Sequence, residues 1–182
     1  MKQNQKNILI AAVLIVFVAI IRIVSREMHL FNIAPIGALA LFSGAIIKDK
    51  RISFATPLIA MLLGDLFFQY FTSISGFYGT EQFFVYGAVA LVTILGTFMG
   101  KVNAIKVAGF TITGSFLFFA ISNFGSFLSG MWGTGFNGLV TTYTMALPFY
   151  EKTIAGDIIG SLLFFGVYFL AQRATVKSTQ QA

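Results

Sequence analysis

The chain has 182 residues, 57% of them hydrophobic and only 10% charged, with a net charge of +6 and no cysteine. That length fits one domain, and a soluble globule would carry about 25% charged residues, so the composition points into a membrane. Without cysteine there are no disulfides, thiolate metal sites or cysteine nucleophiles, and a positive charge spread over segment ends argues against a nucleic-acid partner.

Six apolar runs follow one another: Ile8–Val24, Ile33–Ile47, Phe54–Phe71, Phe83–Met99, Ala104–Ile121 and Thr153–Leu170. Most are long enough to cross a hydrocarbon core of about 30 Å as helices. The first follows a basic start, Met1–Lys6, and runs into Arg22–Glu27 with no small-x-small cleavage site, so it reads as an uncleaved signal-anchor helix. The second is short, begins at Asn32-Ile33-Ala34-Pro35, and places Pro35 in a first helical turn. Its Gly37, Ala38, Ala40, Gly44 and Ala45 form a small-residue face suited to close helix approach. Lys48-Asp49-Lys50-Arg51 makes a tight turn into the third helix, which holds Pro57 early and Asp65 well inside. The fourth ends in Gly96-x-x-x-Gly100, a second close-packing motif. After the fifth, Asn123–Lys152 reads as a thirty-residue structured loop, rich in glycine and aromatics, with Leu139–Leu147 as a short helix in the interface. The tail Lys177–Ala182 is polar and expected to fray.

Lys and Arg divide by side. Lys2, Lys6, Lys48, Lys50, Arg51, Lys101, Lys106, Arg173 and Lys177 fall on one side, against Arg22, Arg26 and Lys152 on the other. This is the positive-inside pattern. It predicts an all-α membrane protein of six transmembrane helices, with N- and C-termini cytoplasmic and the long fifth loop outside.

Several polar residues sit against this apolar background. Asp65 lies about 16 Å along its helix from Phe54, where an acid costs about 2.5–3.5 kcal/mol and turns inward to a partner. Arg22 and Arg26, spaced i,i+4, share one face of the first helix. Arg22, the deeper, is the first choice of partner for Asp65, with Asn123 the second, whereas Arg26 reads as snorkelling at the interface. Asp157, one turn into the sixth helix, suits that helix's positive dipole end. Asn32, Gln69, Asn123 and Asn137 lie near outer helix ends and suit a polar pocket or free backbone groups alike. Trp132, Tyr143 and Tyr150 suit ring stacking on a ligand, or an interfacial belt. His29 is alone, and no metal site is expected. Gly64-Asp65 and Gly156-Asp157 match locally, but their surroundings do not align as a repeat.

His-Glu-x-x-His, Gly-x-Ser-x-Gly and phosphate-binding Gly-x-x-x-x-Gly-Lys patterns are missing, so no enzyme activity, no cofactor and no ATP-driven transport by this chain alone are expected.

The series Asn32-x-x-Pro35-x-x-Ala38-Leu39-Ala40-Leu41-Phe42-x-Gly44 resembles an uncharacterised family of small bacterial integral membrane proteins. The likeness continues at Pro57, Asp65, Asn123-Phe124-Gly125, Gly138-Leu139, Tyr143, Pro148-Phe149 and Gly156-Asp157. It departs at Ser126-Phe127, where the family pattern has Val-Trp. In size and layout the chain also resembles the substrate-binding S components of energy-coupling-factor (ECF) vitamin transporters. That likeness implies capture of a small, vitamin-like solute at the outer face of a bacterial cytoplasmic membrane, with an energy-coupling transmembrane protein and ATPases as partners. S components dock through Ala-x-x-x-Ala on the first helix; here Ala34-x-x-x-Ala38 and Ala40-x-x-x-Gly44 are on the second. The expected solute contacts are Arg22, Asn32, Asp65, Gln69, Asn123, Tyr143 and Asp157. The alternative is a scaffold that binds partner helices through its small-residue faces.

Overall fold

A computed structural model describes residues 3–30 and 32–180. All regular structure among them is helical: α1 (Gln3–Glu27), α2 (Ile36–Ile46), α3 (Lys50–Phe71), α4 (Glu81–Thr97), α5 (Ala104–Leu128) and α6 (Gly135–Gln180). α1, α3, α5 and α6 are long and apolar enough to cross a membrane, while α2 and α4 are shorter apolar helices. On α1, Leu9, Val13, Val16, Ile20 and Val24 are exposed. They recur at helical spacing, an apolar stripe that only lipid or a partner helix would solvate well. The protein is a membrane protein. Lys2, one of the residues in the charge pattern, lies outside the described residues.

α2 is the hub. It is apolar all round, as a fully enclosed helix should be, and eight of its eleven residues are buried. It touches each of the other five helices. At eleven residues it rises only about 16 Å, half the thickness of the hydrocarbon core, so helices longer than itself surround it. Phe42 packs against Phe164, Phe165 and Tyr168 of α6, with ring centroids 5.9, 5.1 and 6.3 Å away. Pro35 precedes the helix instead of opening it; it occupies the N-cap position and offers no side-chain cap.

The small-residue faces are spent inside the bundle. A Cβ on Gly44 would strike the Thr93 carbonyl oxygen of α4, and one on Gly96 would strike the Leu41 carbonyl oxygen of α2. The two backbones therefore touch. Gly96→Leu should cost about 1–3 kcal/mol through overpacking and lower the thermal unfolding midpoint in detergent. Gly87→Ala, on the same helix but with open space around it, should be neutral or slightly stabilising.

The turn into α3 is held by Asp49, whose side chain accepts from the Arg51 and Ile52 N–H groups at 2.9 and 3.2 Å. The turn into α5 is held by Asn103, which accepts from Lys106 N at 2.9 Å. These two connections and the first turns of the helices that follow them carry Lys48, Lys50, Arg51, Lys101 and Lys106 and mark the basic end of the bundle. The α1–α2, α3–α4 and α5–α6 connections lie at the opposite end.

The thirty-residue fifth loop is not there. α5 continues to Leu128 and α6 starts at Gly135, which leaves a connection of residues 129–134. The expected short helix Leu139–Leu147 is the opening of α6 itself, and Pro148 stands inside that helix. The reason is local. Ser122, Asn123, Thr141, Thr142 and Thr144 each donate to the carbonyl four residues back, at 2.7–2.8 Å. Their polar atoms are satisfied within a helix, so their polarity does not signal a loop. The glycine signal is real but concentrated: Gly130 and Gly133, at φ 74° and 94°, make the turn that L-residues disfavour. α6 also runs through the tail expected to fray, as far as Gln180; Gln181 and Ala182 lie outside the described residues.

Candidate functional site

A cavity of about 400 Å³ opens at the end opposite the basic turns, within the size range of small-molecule sites. Its wall is drawn from α1, the α1–α2 connection, α2, α3, the α3–α4 connection and the α5–α6 hairpin.

The first anchor is Asp65, 1% exposed. Arg22 donates to it from α1, Nη2 to Oδ1, at 2.5 Å. Oδ2 accepts from Gln82 Nε2 at 2.9 Å and from Tyr86 OH at 2.6 Å, both on α4. Arg22 Nη1 also donates to the Met61 carbonyl at 2.6 Å. The guanidinium fits because residue 64 is glycine: a Cβ there would lie 2.5 Å from Nη1. Asp65 thus ties α1, α3 and α4 together, and the expected Arg22 pairing is present. Gln82 and Tyr86 are the partners that sequence reasoning missed. Their i,i+4 spacing puts them on one face of α4, and that was the available signal.

The second anchor is Asp157, 2% exposed. It does not serve its own helix. Oδ1 accepts from Ala38 N at 2.9 Å and Oδ2 accepts from Ser115 Oγ of α5. Ala38 is the third residue of α2, whose first-turn N–H groups have no cap from Pro35. α6 therefore supplies the cap of α2 from outside, at the helix end where a negative charge is favoured. Gly37 leaves the room: a Cβ there would meet the Asp157 carboxylate. Gly64-Asp65 and Gly156-Asp157 share this logic without being a repeat. In each, a glycine admits a neighbouring group or chain and the adjacent aspartate binds a different helix.

The α3–α4 connection closes one side. Ile74, Ser75, Gly76 and Tyr78 from this segment line the cavity. Gly76 is pinned from both ends, donating to Gln69 Oε1 at 3.1 Å and accepting from Gln82 Nε2 at 3.3 Å. Gln69 does not line the cavity as expected; it holds the wall segment in place. Tyr143 is not on the wall either. Its hydroxyl donates to the Ala120 carbonyl at 2.6 Å and its ring packs edge-on against Phe119. Arg22, Asn32, Asp65, Asn123 and Asp157 do come together around the cavity. Arg26 turns inward instead of snorkelling: it lines the cavity, 5.7 Å from the Phe68 ring centroid.

A family model matches residues 2–180. The chain belongs to DUF6580, a family of unknown function. No curated protein and no solved structure matches it significantly.

What this DUF6580 chain presents to the cavity is set by which polar groups are already used. Ser25 donates to the Arg22 carbonyl, Asn123 to Phe119 and Ser126 to Glu81. Trp132, Phe149 and Tyr150 add aromatic surface, and Tyr150 lies 4.6 Å from the Phe119 ring. Tyr78, in the connection outside the helices, has its phenol pushed up to about 12, chiefly by burial and next by the Asp65 charge. It stays protonated, hence a donor, at any physiological pH. Among the described residues no three His, Cys, Asp or Glu side chains converge as metal ligands would. The arrangement is a cavity floored by two buried carboxylates, each hydrogen-bonded within the protein.

Proposed function

We propose that this protein captures a small solute in the cavity for uptake across a bacterial cytoplasmic membrane, in the manner of the S components of ECF transporters. The observation that carries this reading is the cavity itself: about 400 Å³, walled by segments from all over the chain, and floored by two carboxylates whose bonds are made within the protein. The basic turns lie at the other end of the bundle. By the positive-inside rule they face the cytoplasm, so the cavity opens outward and both termini are inside. Reporter fusions after Lys50 and Lys101 should then read cytoplasm, and one at Gly79 should read outside; an inside signal at Gly79 would turn the cavity to the wrong face.

In this reading an energy-coupling transmembrane protein and ATPases, the partners that the S-component likeness implies, complete the transport cycle. The scaffold alternative drew on the small-residue faces. Gly44 and Gly96 are used against each other, so that surface is not on offer to a partner helix.

The test is ligand dependence. Native mass spectrometry of gently purified protein should show a bound small molecule. Adding the solute back at a hundred times its Kd should stabilise the fold by about 2.7 kcal/mol. Stoichiometric co-purification of a protein partner, with no solute response, would favour the scaffold.

A further inference from the structure

We infer that the cavity selects an uncharged, planar aromatic solute that carries a carboxamide-type group, held by Tyr78, Tyr150, Asn32 and Trp132; this rests on the solute-capture reading.

The charges around the cavity are matched within the protein. Among the described residues, the charged side chains that line it are Arg22, Arg26, Asp65 and Asp157. Arg22 and Asp65 pair at 2.5 Å, and Asp65 takes two further hydrogen bonds, from Gln82 and Tyr86. Asp157 accepts from Ser115 and from the first turn of α2. Arg26 lies 5.7 Å from the Phe68 ring centroid and has a further partner within the protein. Glu81 stands just behind the wall in the first turn of α4, where the helix dipole favours a negative charge, and it accepts from the lining Ser126 at 3.1 Å. Tyr78 feels both signs. Asp65 and Glu81 hold its proton on while Arg22 and Arg26 act the other way, in the order Asp65, Arg22, Glu81, Arg26. An ammonium therefore meets no unspent carboxylate, and a carboxylate meets no unspent guanidinium. Either would shed its hydration without gaining a counter-charge. A neutral solute avoids that cost.

The hydrogen-bonding groups left over suit such a solute. Ser25, Ser75, Ser122, Ser126, Thr142 and Thr153 line the wall, and each hydroxyl donates to a protein acceptor. The side chains of Tyr78, Tyr150, Trp132 and Asn32 line the cavity without a hydrogen bond to the described protein. Asn123 donates to the Phe119 carbonyl at 2.8 Å, which leaves its amide oxygen unspent. An indole N–H only donates, whereas phenol hydroxyls and amides both donate and accept. Mixed donors and acceptors with no spare charge match a group that offers both, as a carboxamide does. The rings supply the rest. Trp132 and Phe149 are 41% and 48% exposed, and flat aromatic faces favour a flat partner.

The chain provides its own reporter, because Trp132 is its single tryptophan. The full chain in lipid nanodiscs is titrated at neutral pH with nicotinamide and benzamide. Nicotinate and benzoate are their anionic counterparts, 3-picolylamine and benzylamine their cationic ones, and cyclohexanecarboxamide is the non-aromatic control. Binding is followed by Trp132 fluorescence and by calorimetry. The aromatic carboxamides should bind about tenfold more tightly than every control, a difference of about 1.4 kcal/mol. Tyr78→Phe and Tyr150→Phe should each weaken them severalfold, with melting of the ligand-free protein unchanged. Carboxylates or amines that bind as tightly as the carboxamides would overturn the inference, as would a folded Tyr78→Phe, Tyr150→Phe double variant that binds the carboxamides as before. Equal binding of cyclohexanecarboxamide would overturn the demand for a flat ring. A charged solute from a broad screen that stabilises the protein, while every aromatic carboxamide fails, would also overturn the inference; solute capture would then survive. If no solute of any charge stabilises the protein and a protein partner co-purifies, both readings fall.

Discussion

Replacing Asp65 by leucine should destabilise the bundle by about 3 kcal/mol, and replacing Arg22 by methionine should cost distinctly less. Without Asp65, a guanidinium only 18% exposed keeps its charge and retains the Met61 carbonyl at 2.6 Å and the face of the Phe68 ring. It cannot escape by losing its proton. Buried pairs broken in this way typically lose about 3–5 kcal/mol, and insertion scales put an isolated intramembrane arginine at about 2.5–3.5 kcal/mol. Without Arg22, the carboxyl is better served. Gln82 and Tyr86 still donate to it. The double variant Arg22→Met with Asp65→Leu should recover much of the loss, since apolar replacement of a whole buried pair is often close to neutral. Thermal unfolding of the four proteins in one detergent gives the cycle. Equal losses for the two single variants, or a double variant at the sum of both, would show that the pair is not coupled in this way.

The Arg22–Asp65 pair was legible because the membrane makes charge expensive. In an apolar helix each ionisable residue stands out, and the search for its partner is short. The six apolar runs were legible for the same reason, though α2 is shorter than its run and its start moved past Pro35. The polar partners Gln82 and Tyr86 were not picked out, because uncharged polar residues at a helix end also suit the interface, and composition does not separate the two. The fifth loop failed for a different reason. Asn123, Thr141, Thr142 and Thr144 break an apolar run, and Pro148 punctuates it, yet each hydroxyl or amide bonds one turn back inside the helix. The stretch still walls the cavity, but from the ends of two helices and the turn between them, with Asn123, Trp132, Thr142 and Tyr150 among its lining; the α3–α4 connection adds a side of its own, where Gly76 is clamped between Gln69 and Gln82. Such a clamp depends on contacts across the turn that leave no periodic trace. Trp132 reaches the cavity wall from the short α5–α6 turn.

The cap that Asp157 places on α2 predicts a second large effect, with a location attached. The Ala38 N–H is buried in the bundle, and Asp157 is the acceptor it has. Asp157→Ala removes the acceptor outright. Loss of an N-cap costs about 0.5–2 kcal/mol in water-exposed helices, and leaving a buried donor unsatisfied costs about 1–3 kcal/mol, so a loss of about 2–3 kcal/mol is expected here. Asp157→Asn nearly keeps the shape, keeps an acceptor for Ala38, and can donate to Ser115. It forfeits the charge at the helix N-terminus, a loss of about 0.3–1 kcal/mol. Ser115→Ala should do little, because the bond to α2 remains. The order Ala, then Asn, then the Ser115 variant distinguishes a cap from a generic buried acid. Location tests it further. Because α2 touches every other helix, uncapping it should loosen the centre of the bundle, and hydrogen exchange should rise first at Gly37, Ala38 and Leu39 while the basic end of α3 near Asp49 stays protected. Unchanged exchange at the start of α2 in a folded Asp157→Ala protein would mean that α2 does not depend on α6 for its first turn.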